Sequence, residues 1–296
     1  MRVTSYAKVN LFLNVTGRRA DGFHNIESVF QSVSFFDILT IEHSEKFSFS
    51  VESDAAYIPR AVLEKKNILQ TCWEMLHQSY GVKPVRIILK KNIPIGAGLG
   101  GGSSNAAALL KALIHMNGLQ ISEAEQYRIA AATGSDVPFF LKGGTACVSG
   151  RGELVSTFKT MNTFYYVLIY PEVHVNTRTA FNTLCTIGDD SSLRHKYDVL
   201  TRWMCANHAE DQSKCDDIST HNSFQSKVFL QYPVIHAAYD RLKSHTGFSL
   251  LSGSGSTVFG LFLNKHAAEK AHKDLQNDFP YVFICENTPE GMNIEE

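Results

Sequence analysis

Along the first stretch of the chain, apolar and polar residues interleave at the spacing of a strand. From Val3 to Val15 the apolar positions are broken by Lys8, Asn10 and Asn14, which predicts an extended segment with Lys8 and Asn10 on one face. Gly17 to Gly22 is rich in turn formers and is predicted to be a loop. Further strands are expected over Val33 to Ile41 and Phe47 to Val51. Asn67 then stands where a helix cap belongs, with Ile68, Cys72, Met75 and Leu76 on one helical face until Gly81 stops the run. Val85 to Lys90 is dominated by branched and aliphatic residues, so it reads as a strand, and Pro94 forbids its extension as a central one.

A glycine-rich segment follows, and then a run of strong helix formers from Asn105 to Met116, closed by Asn117 and Gly118. The order is strand, glycine loop, helix. Ser122 opens another helix, expected to reach Thr133 before Gly134 to Pro138 breaks it and leaves Asp136 in a loop. Thr145 to Ser149 is a short strand, and the polar stretch from Arg151 to Asn162 is the expected boundary between a unit of residues 1–160 and one of 161–296. In the second unit, strands at Tyr165 to Tyr170, Thr257 to Phe262 and Tyr281 to Cys285 are interspersed with helices over Leu193 to Asn207, Val234 to Lys243 and Lys265 to Asn277. The predicted class is α+β.

Composition narrows the partners. With 28 Lys and Arg against 29 Asp and Glu, the net charge of -1 supplies no field that gathers nucleic acid or an anionic membrane, so binding is expected at a local site. No apolar run approaches the roughly 20 residues that span a bilayer, and no signal-peptide core opens the chain, which predicts a cytoplasmic protein. The six cysteines form no C-x-x-C pair, and most stand in apolar stretches expected to be buried and reduced. Cys205, His208 and Cys215 match no standard finger spacing, so no metal ligand is assigned.

Between Pro94 and Ser104, in the order Pro94, Ile95, Gly96, Ala97, Gly98, Leu99, Gly100, Gly101, Gly102, Ser103, Ser104, five glycines fall within seven positions. Without Cβ atoms the backbone accepts positive φ and approaches a ligand closely, so successive amides converge on an anion. The following helix adds its own free amides and positive dipole end, and the two serines add hydroxyl donors. A flexible linker rarely sits between a clear strand and an alanine-rich helix. A Walker loop needs a lysine after its last glycine, and none is present. Gly96, Gly98 and Gly101 satisfy the dinucleotide fingerprint only formally, because Lys90 to Pro94 separate strand from glycine and the region near Glu123 opens a helix. The loop predicts a nucleotide phosphate site, with ATP as the occupant.

The string P-I-G-A-G-L-G-G-G-S-S-N-A-A-A resembles the central motif of the GHMP kinases, the superfamily of galactokinase, homoserine kinase and mevalonate kinase. A-K-V-N-L-F-L-N-V-T-G-R-R-A-D-G-F-H at 7–24, G-S-D-V-P-F-F at 134–140 and L-S-G-S-G-S-T-V-F at 251–259 follow in the family's order, so the resemblance spans nearly the whole chain. These blocks are similar to the branch that phosphorylates the 2-hydroxyl of a cytidine-diphosphate-linked methylerythritol in isoprenoid synthesis. The resemblance implies two α+β lobes, the first like ribosomal protein S5 and the second ferredoxin-like, with the active site between them. It implies a small-molecule kinase, monomeric or homodimeric, using ATP with Mg2+.

By the same resemblance Asp136 matches the catalytic carboxylate and Lys8 the lysine that meets the substrate hydroxyl and the transferring phosphoryl group. Asn10 matches a substrate-binding residue near Lys8, while Asn67 and Lys91 match positions near the ATP base and ribose. Phe23 and His24 match a Tyr/Phe-His pair at the cytosine, with Phe181 as the second aromatic ring of a sandwich and Thr177 nearby; tyrosine is the more usual residue at position 23. Gly253, Ser254 and Gly255 resemble the third motif of the superfamily. The glutamate that holds magnesium in several GHMP kinases finds no match.

Read without the family, each of these residues has a plainer role. Asp136 caps a turn before Pro138, Lys8 is an edge residue, Phe181 packs a core, and Gly253 to Gly255 is a hairpin turn. Other GHMP kinases, acting on mevalonate, homoserine or a sugar, and a non-catalytic nucleotide-binding regulator are the competing functions.

Overall fold

The computed structural model describes residues 1–58, 68–184, 191–208, 211, 213 and 218–295. Two long strands, β1 (Arg2–Arg18) and β2 (His24–His43), pair antiparallel over nearly their whole length because the turn formers between them reverse the chain directly. Along its second half β2 pairs with β4 (Val85–Lys90), which carries β3 (Ser48–Glu52) parallel at the edge. Along its first half β2 pairs with β5 (Thr145–Gly150), which in turn pairs with β6 (Leu154–Phe158). The polar stretch expected as a linker therefore contains an edge strand, whose mostly exposed residues gave no alternating apolar signal.

One face of this sheet is covered by α1 (Ile68–Tyr80), α2 (Gly101–Met116), α3 (Glu123–Thr133) and the single turn α4 (Val137–Phe140). Helix α1 buries Leu69, Cys72 and Leu76, with Ile68 and Met75 partly buried beside them. Helix α2 is central, with ten buried residues that include Ala106, Ala107, Ala108, Leu109 and Leu110. It begins at Gly101, four residues before the expected Asn105, so Gly101 to Ser104 form its first turn. Intrinsic propensity places glycine outside a helix; packing against Ile93 and Lys91 holds Gly101 inside this one.

The second sheet has the order β10 (Val282–Glu286), β7 (Tyr165–Ile169), β9 (Val258–Phe262), β8 (Ser249–Leu251), all antiparallel. Of the helices α5 (Thr177–Thr183), α6 (Ser191–Cys205), α7 (Gln225–Gln231), α8 (Pro233–Lys243) and α9 (Lys265–Leu275), α8 and α9 pack on this sheet. The short elements α5, α7 and β8 were not expected from the sequence, since three to seven residues are too few to show a period. The chain then returns: β11 (Met292–Glu295) pairs with the start of β1 in the first sheet. Among the described residues no helix is long and apolar enough to cross a membrane. Cys72 and Cys285 are buried as expected, Cys147 is half-buried and Cys205 is exposed; Cys185 and Cys215 lie outside the described residues.

Candidate active site

The glycine-rich loop is fixed from three sides. Below its entry stands Asp37 of β2, fully buried, whose carboxylate accepts from Lys91 Nζ at 2.6 Å, Asn105 Nδ2 at 3.0 Å and the amides of Asn92 and Ile93 at 2.7 and 2.8 Å. One carboxylate thus ties the end of β4 to the first turns of α2, and it compensates the buried Lys91 ammonium. Burial pushes Lys91 below the ordinary lysine range, and Asp37 opposes that shift. From the side of β1, the Lys8 amide donates to the Leu99 carbonyl at 3.0 Å. From the second sheet, Ser252 Oγ donates to the Gly98 carbonyl at 2.9 Å and the Thr257 amide to that of Ala97 at 3.2 Å.

Two of the glycines are demanded by this packing. Gly98 has φ +79° and a Cβ there would overlap the Ser252 carbonyl oxygen. Gly100, at φ +69°, is the N-cap of α2, and a Cβ there would crowd the Phe140 ring and Lys8 Cγ. No side chain caps this helix, so its first amides face the loop as donors for an anion.

Lys8 lies directly against that helix end. It is only 3% exposed, its Nζ donates to Asn10 Oδ1 at 2.6 Å, stands 3.5 Å from Asp136 Oδ2 and sits 4.5 Å from the Phe30 ring centroid. Asn10 in turn donates to Ser28 Oγ at 3.2 Å. Burial drives Lys8 below its usual range, with the Asp136 carboxylate pulling it back. Asp136 is the N-cap residue of α4, yet its side chain makes no capping hydrogen bond. Its carboxylate is thus directed to Lys8 rather than spent on the turn before Pro138.

Further along, His24 begins β2 and stacks on Phe181 of α5 at 5.0 Å, and Phe181 meets Phe224 edge-on at 4.8 Å. Phe23 and Phe181 are expected on the two faces of a cytosine; the ring in direct contact with Phe181 is that of His24. Phe23 is 46% exposed and lies 5.0 Å beneath the Arg151 guanidinium. Burial, followed by the nearby Arg18 charge, holds His24 below the usual histidine range. Thr177 Oγ1 is 3.0 Å from Ser254 Oγ. Gly253 and Ser254 belong to the connection of the β8–β9 hairpin and also line the cleft, so the two readings of this motif coincide.

These groups surround a cavity of about 1000 Å³ lined from both halves of the chain, large enough for a nucleotide and a second substrate. Lys8, Asn10, Phe23, His24, Lys91, Asp136, Thr177, Phe181 and every residue from Pro94 to Ser103 line it. Ser104 does not: it is fully buried behind the loop, its hydroxyl without a partner. Asn67 lies outside the described residues. Among the described residues no three His, Cys, Asp or Glu side chains cluster as a metal cage.

Sequence reasoning missed Asp37, Asn222, Phe224 and Arg151. Asp37 left a signal, a lone carboxylate inside the apolar run Phe35 to Ile41. Asn222, whose Nδ2 donates to the Leu251 and Gly253 carbonyls at 2.7 and 2.8 Å, sits in a stretch with no periodicity and left none.

Family models match in two places, that of the GHMP kinases N terminal domain over residues 67–144 and that of the GHMP kinases C terminal over 199–280. A 4-diphosphocytidyl-2-C-methyl-D-erythritol kinase of Caldicellulosiruptor saccharolyticus is 34% identical over 97% of this chain and 98% of its own. One from Prosthecochloris aestuarii is 37% identical over 92% and 93%. The crystal structure of a 4-(cytidine 5'-diphospho)-2C-methyl-D-erythritol kinase superposes with a TM-score of 0.74 at 27% identity, covering 97% of this chain and 99% of that one. Homoserine kinase from Cytophaga hutchinsonii gives 0.75 at 18% identity, with 100% and 97% covered, a likeness of fold.

Proposed function

Because the chain belongs to the GHMP kinases and, within them, to the 4-diphosphocytidyl-2-C-methyl-D-erythritol kinases, we propose that its cleft moves the γ-phosphoryl group of ATP to the 2-hydroxyl of 4-diphosphocytidyl-2-C-methyl-D-erythritol, in isoprenoid precursor synthesis. The observation that carries this reading is the buried Lys8 ammonium, 3.5 Å from Asp136 and packed against the uncapped start of α2. Such a pair has little structural purpose, since an ion pair with one partner this buried rarely stabilises a fold more than apolar packing would.

Phosphoryl transfer asks the protein for position and charge, because its transition state is loose and negative charge spreads over the phosphate oxygens. In this proposal the loop amides and the start of α2 hold the ATP phosphates, with Lys91 and Asn67 toward the base and ribose. Asp136 accepts or orients the acceptor hydroxyl proton, and Lys8 stabilises charge between hydroxyl and phosphoryl group. Asn10 fixes the Lys8 ammonium through its 2.6 Å contact. Phe23, His24, Phe181 and Thr177 form the cytidine end, where base stacking contributes ~1–3 kcal/mol. Mg2+ would arrive with ATP and neutralise phosphate charge; a cation that keeps several waters and the nucleotide oxygens needs no protein cage. We place the enzyme in the cytoplasm, working as two lobes between which the chain crosses near residue 160, with β11 returning to the sheet of the first lobe.

Phosphorus NMR tests the reaction. Incubation with ATP and the cytidine-linked acceptor should yield a new phosphomonoester signal in step with ADP, and Asp136→Asn should suppress both. ADP formed with free phosphate and no new ester would overturn the reading.

A further inference from the structure

We infer that Arg151 recognises the diphosphate of the acceptor, which makes it a specificity residue for a nucleoside diphosphate over a bare nucleoside. The inference rests on the cytidine-bearing acceptor proposed above. Arg151 lies in the turn after β5, lines the cleft, and is half-buried. Its guanidinium is anchored at both ends of its reach: Nη2 donates at 2.9 Å to the Ala131 carbonyl in the last turn of α3, and its Cζ stands 5.0 Å over the Phe23 ring. Among the described residues no other acceptor bonds its Nε and Nη1, and no carboxylate is paired with it. Asp21, whose charge interacts with that of Arg151, accepts from Arg19 Nε at 3.0 Å and from the Phe23 amide at 3.1 Å, and the Glu153 carboxylate accepts from the Arg151 main-chain amide at 2.6 Å.

The turn also reaches the chemistry. A Cβ on the neighbouring Gly152 would lie 3.4 Å from Asp136 Oδ1, so the segment that carries Arg151 packs against the carboxylate assigned to the acceptor hydroxyl. One side of Arg151 is therefore the aromatic end of the cleft and the other is Asp136. In the acceptor, the group between base and reacting polyol is the diphosphate. A half-buried guanidinium is suited to that dianion, because Nη2 gives only one of its two N–H groups to Ala131 and its other, beside Nε–H or Nη1–H, completes a fork of two donors that matches phosphate oxygens.

Titration calorimetry on the full chain with CDP and with cytidine separates the possibilities. The wild type should bind CDP more tightly than cytidine. Arg151→Ala should lose roughly 10–100-fold in CDP affinity, the scale of a bidentate charged contact, while cytidine affinity, which also reports a folded site, is held. Arg151→Lys should recover only part of the CDP preference. If Arg151→Ala weakens both ligands equally, Arg151 merely props the Phe23 ring and the inference fails. A wild type that binds neither ligand would instead remove the cytidine-bearing acceptor itself. The acceptor KM should follow CDP affinity, with a smaller change in turnover number.

Discussion

Lys8 is an ammonium with almost no access to water, and burial drives it below the ordinary lysine range while Asp136 pulls it back. Its placement would be hard to explain in a fold with no charge to meet. Lys8→Ala and Asp136→Asn should each lower the turnover number by more than ~100-fold, the scale of a positioned acid-base or charge-stabilising group. Nucleotide titration should still detect ATP binding in both variants, and near-normal turnover in both would remove the assignment. A pH profile adds an independent check. Because the Lys8 pKa is lowered from 10.5, its proton is lost earlier as pH rises, so the basic limb of the turnover number should appear below pH 10.5. In Lys8→Arg, whatever activity is left should show that limb moved upward, since a guanidinium stays charged throughout. An unmoved limb would assign the titration to another group.

At the scale of elements, the site is a junction of β1, the start of α2 and the β8–β9 hairpin, with Asp37 beneath it. Removing one partner of a buried pair leaves the other charge uncompensated, so Asp37→Ala should destabilise by about 3–5 kcal/mol in denaturant unfolding, with Asp37→Asn milder. Equal stability of wild type and Asp37→Ala would show that Lys91 finds another partner. What the sequence could reveal here follows from length and period. Strands β1 and β4 were legible from apolar and branched residues held over several positions, and helix α3 from its Ser122 cap and the Gly134 to Pro138 break. The start of α2 was misplaced because glycines at 101 and 102 contradict local propensity and are held by tertiary contacts. Edge strands β6 and β11 borrow order from longer partners, so their own residues carry little signal. Glycine spacing alone suggested the phosphate role that we propose for the loop. Pairing Lys8 with Asp136 required the family resemblance, since no local pattern links residues so distant in sequence. The His24–Phe181 stack was not legible at all, because it depends on how α5 packs across the cleft.

Across the whole molecule, the cavity draws its walls from the first sheet and its helices and, in the second half of the chain, from α5, Phe224 and the β8–β9 connection, and β11 ties that half back to the first sheet. Strand β11 pairs with Arg2 to Ser5 of β1, and the Tyr6 amide donates to the Gly291 carbonyl at 3.1 Å, two residues before Lys8. Deleting residues 291–296 should therefore lower the Tm by on the order of 5 °C and reduce activity with it; unchanged thermal unfolding would mean that this pairing contributes nothing to β1. The fold is shared with kinases for other acceptors, so fold alone does not select a substrate. We propose that the aromatic end of the cleft, at His24 and Phe181, makes that selection. ADP release measured with ATP and, in parallel, 4-diphosphocytidyl-2-C-methyl-D-erythritol, mevalonate, homoserine and galactose tests it most directly. Release with the cytidine-linked acceptor alone, suppressed by added CDP, is the predicted result. Release with mevalonate, homoserine or galactose and none with the cytidine-linked acceptor would contradict it.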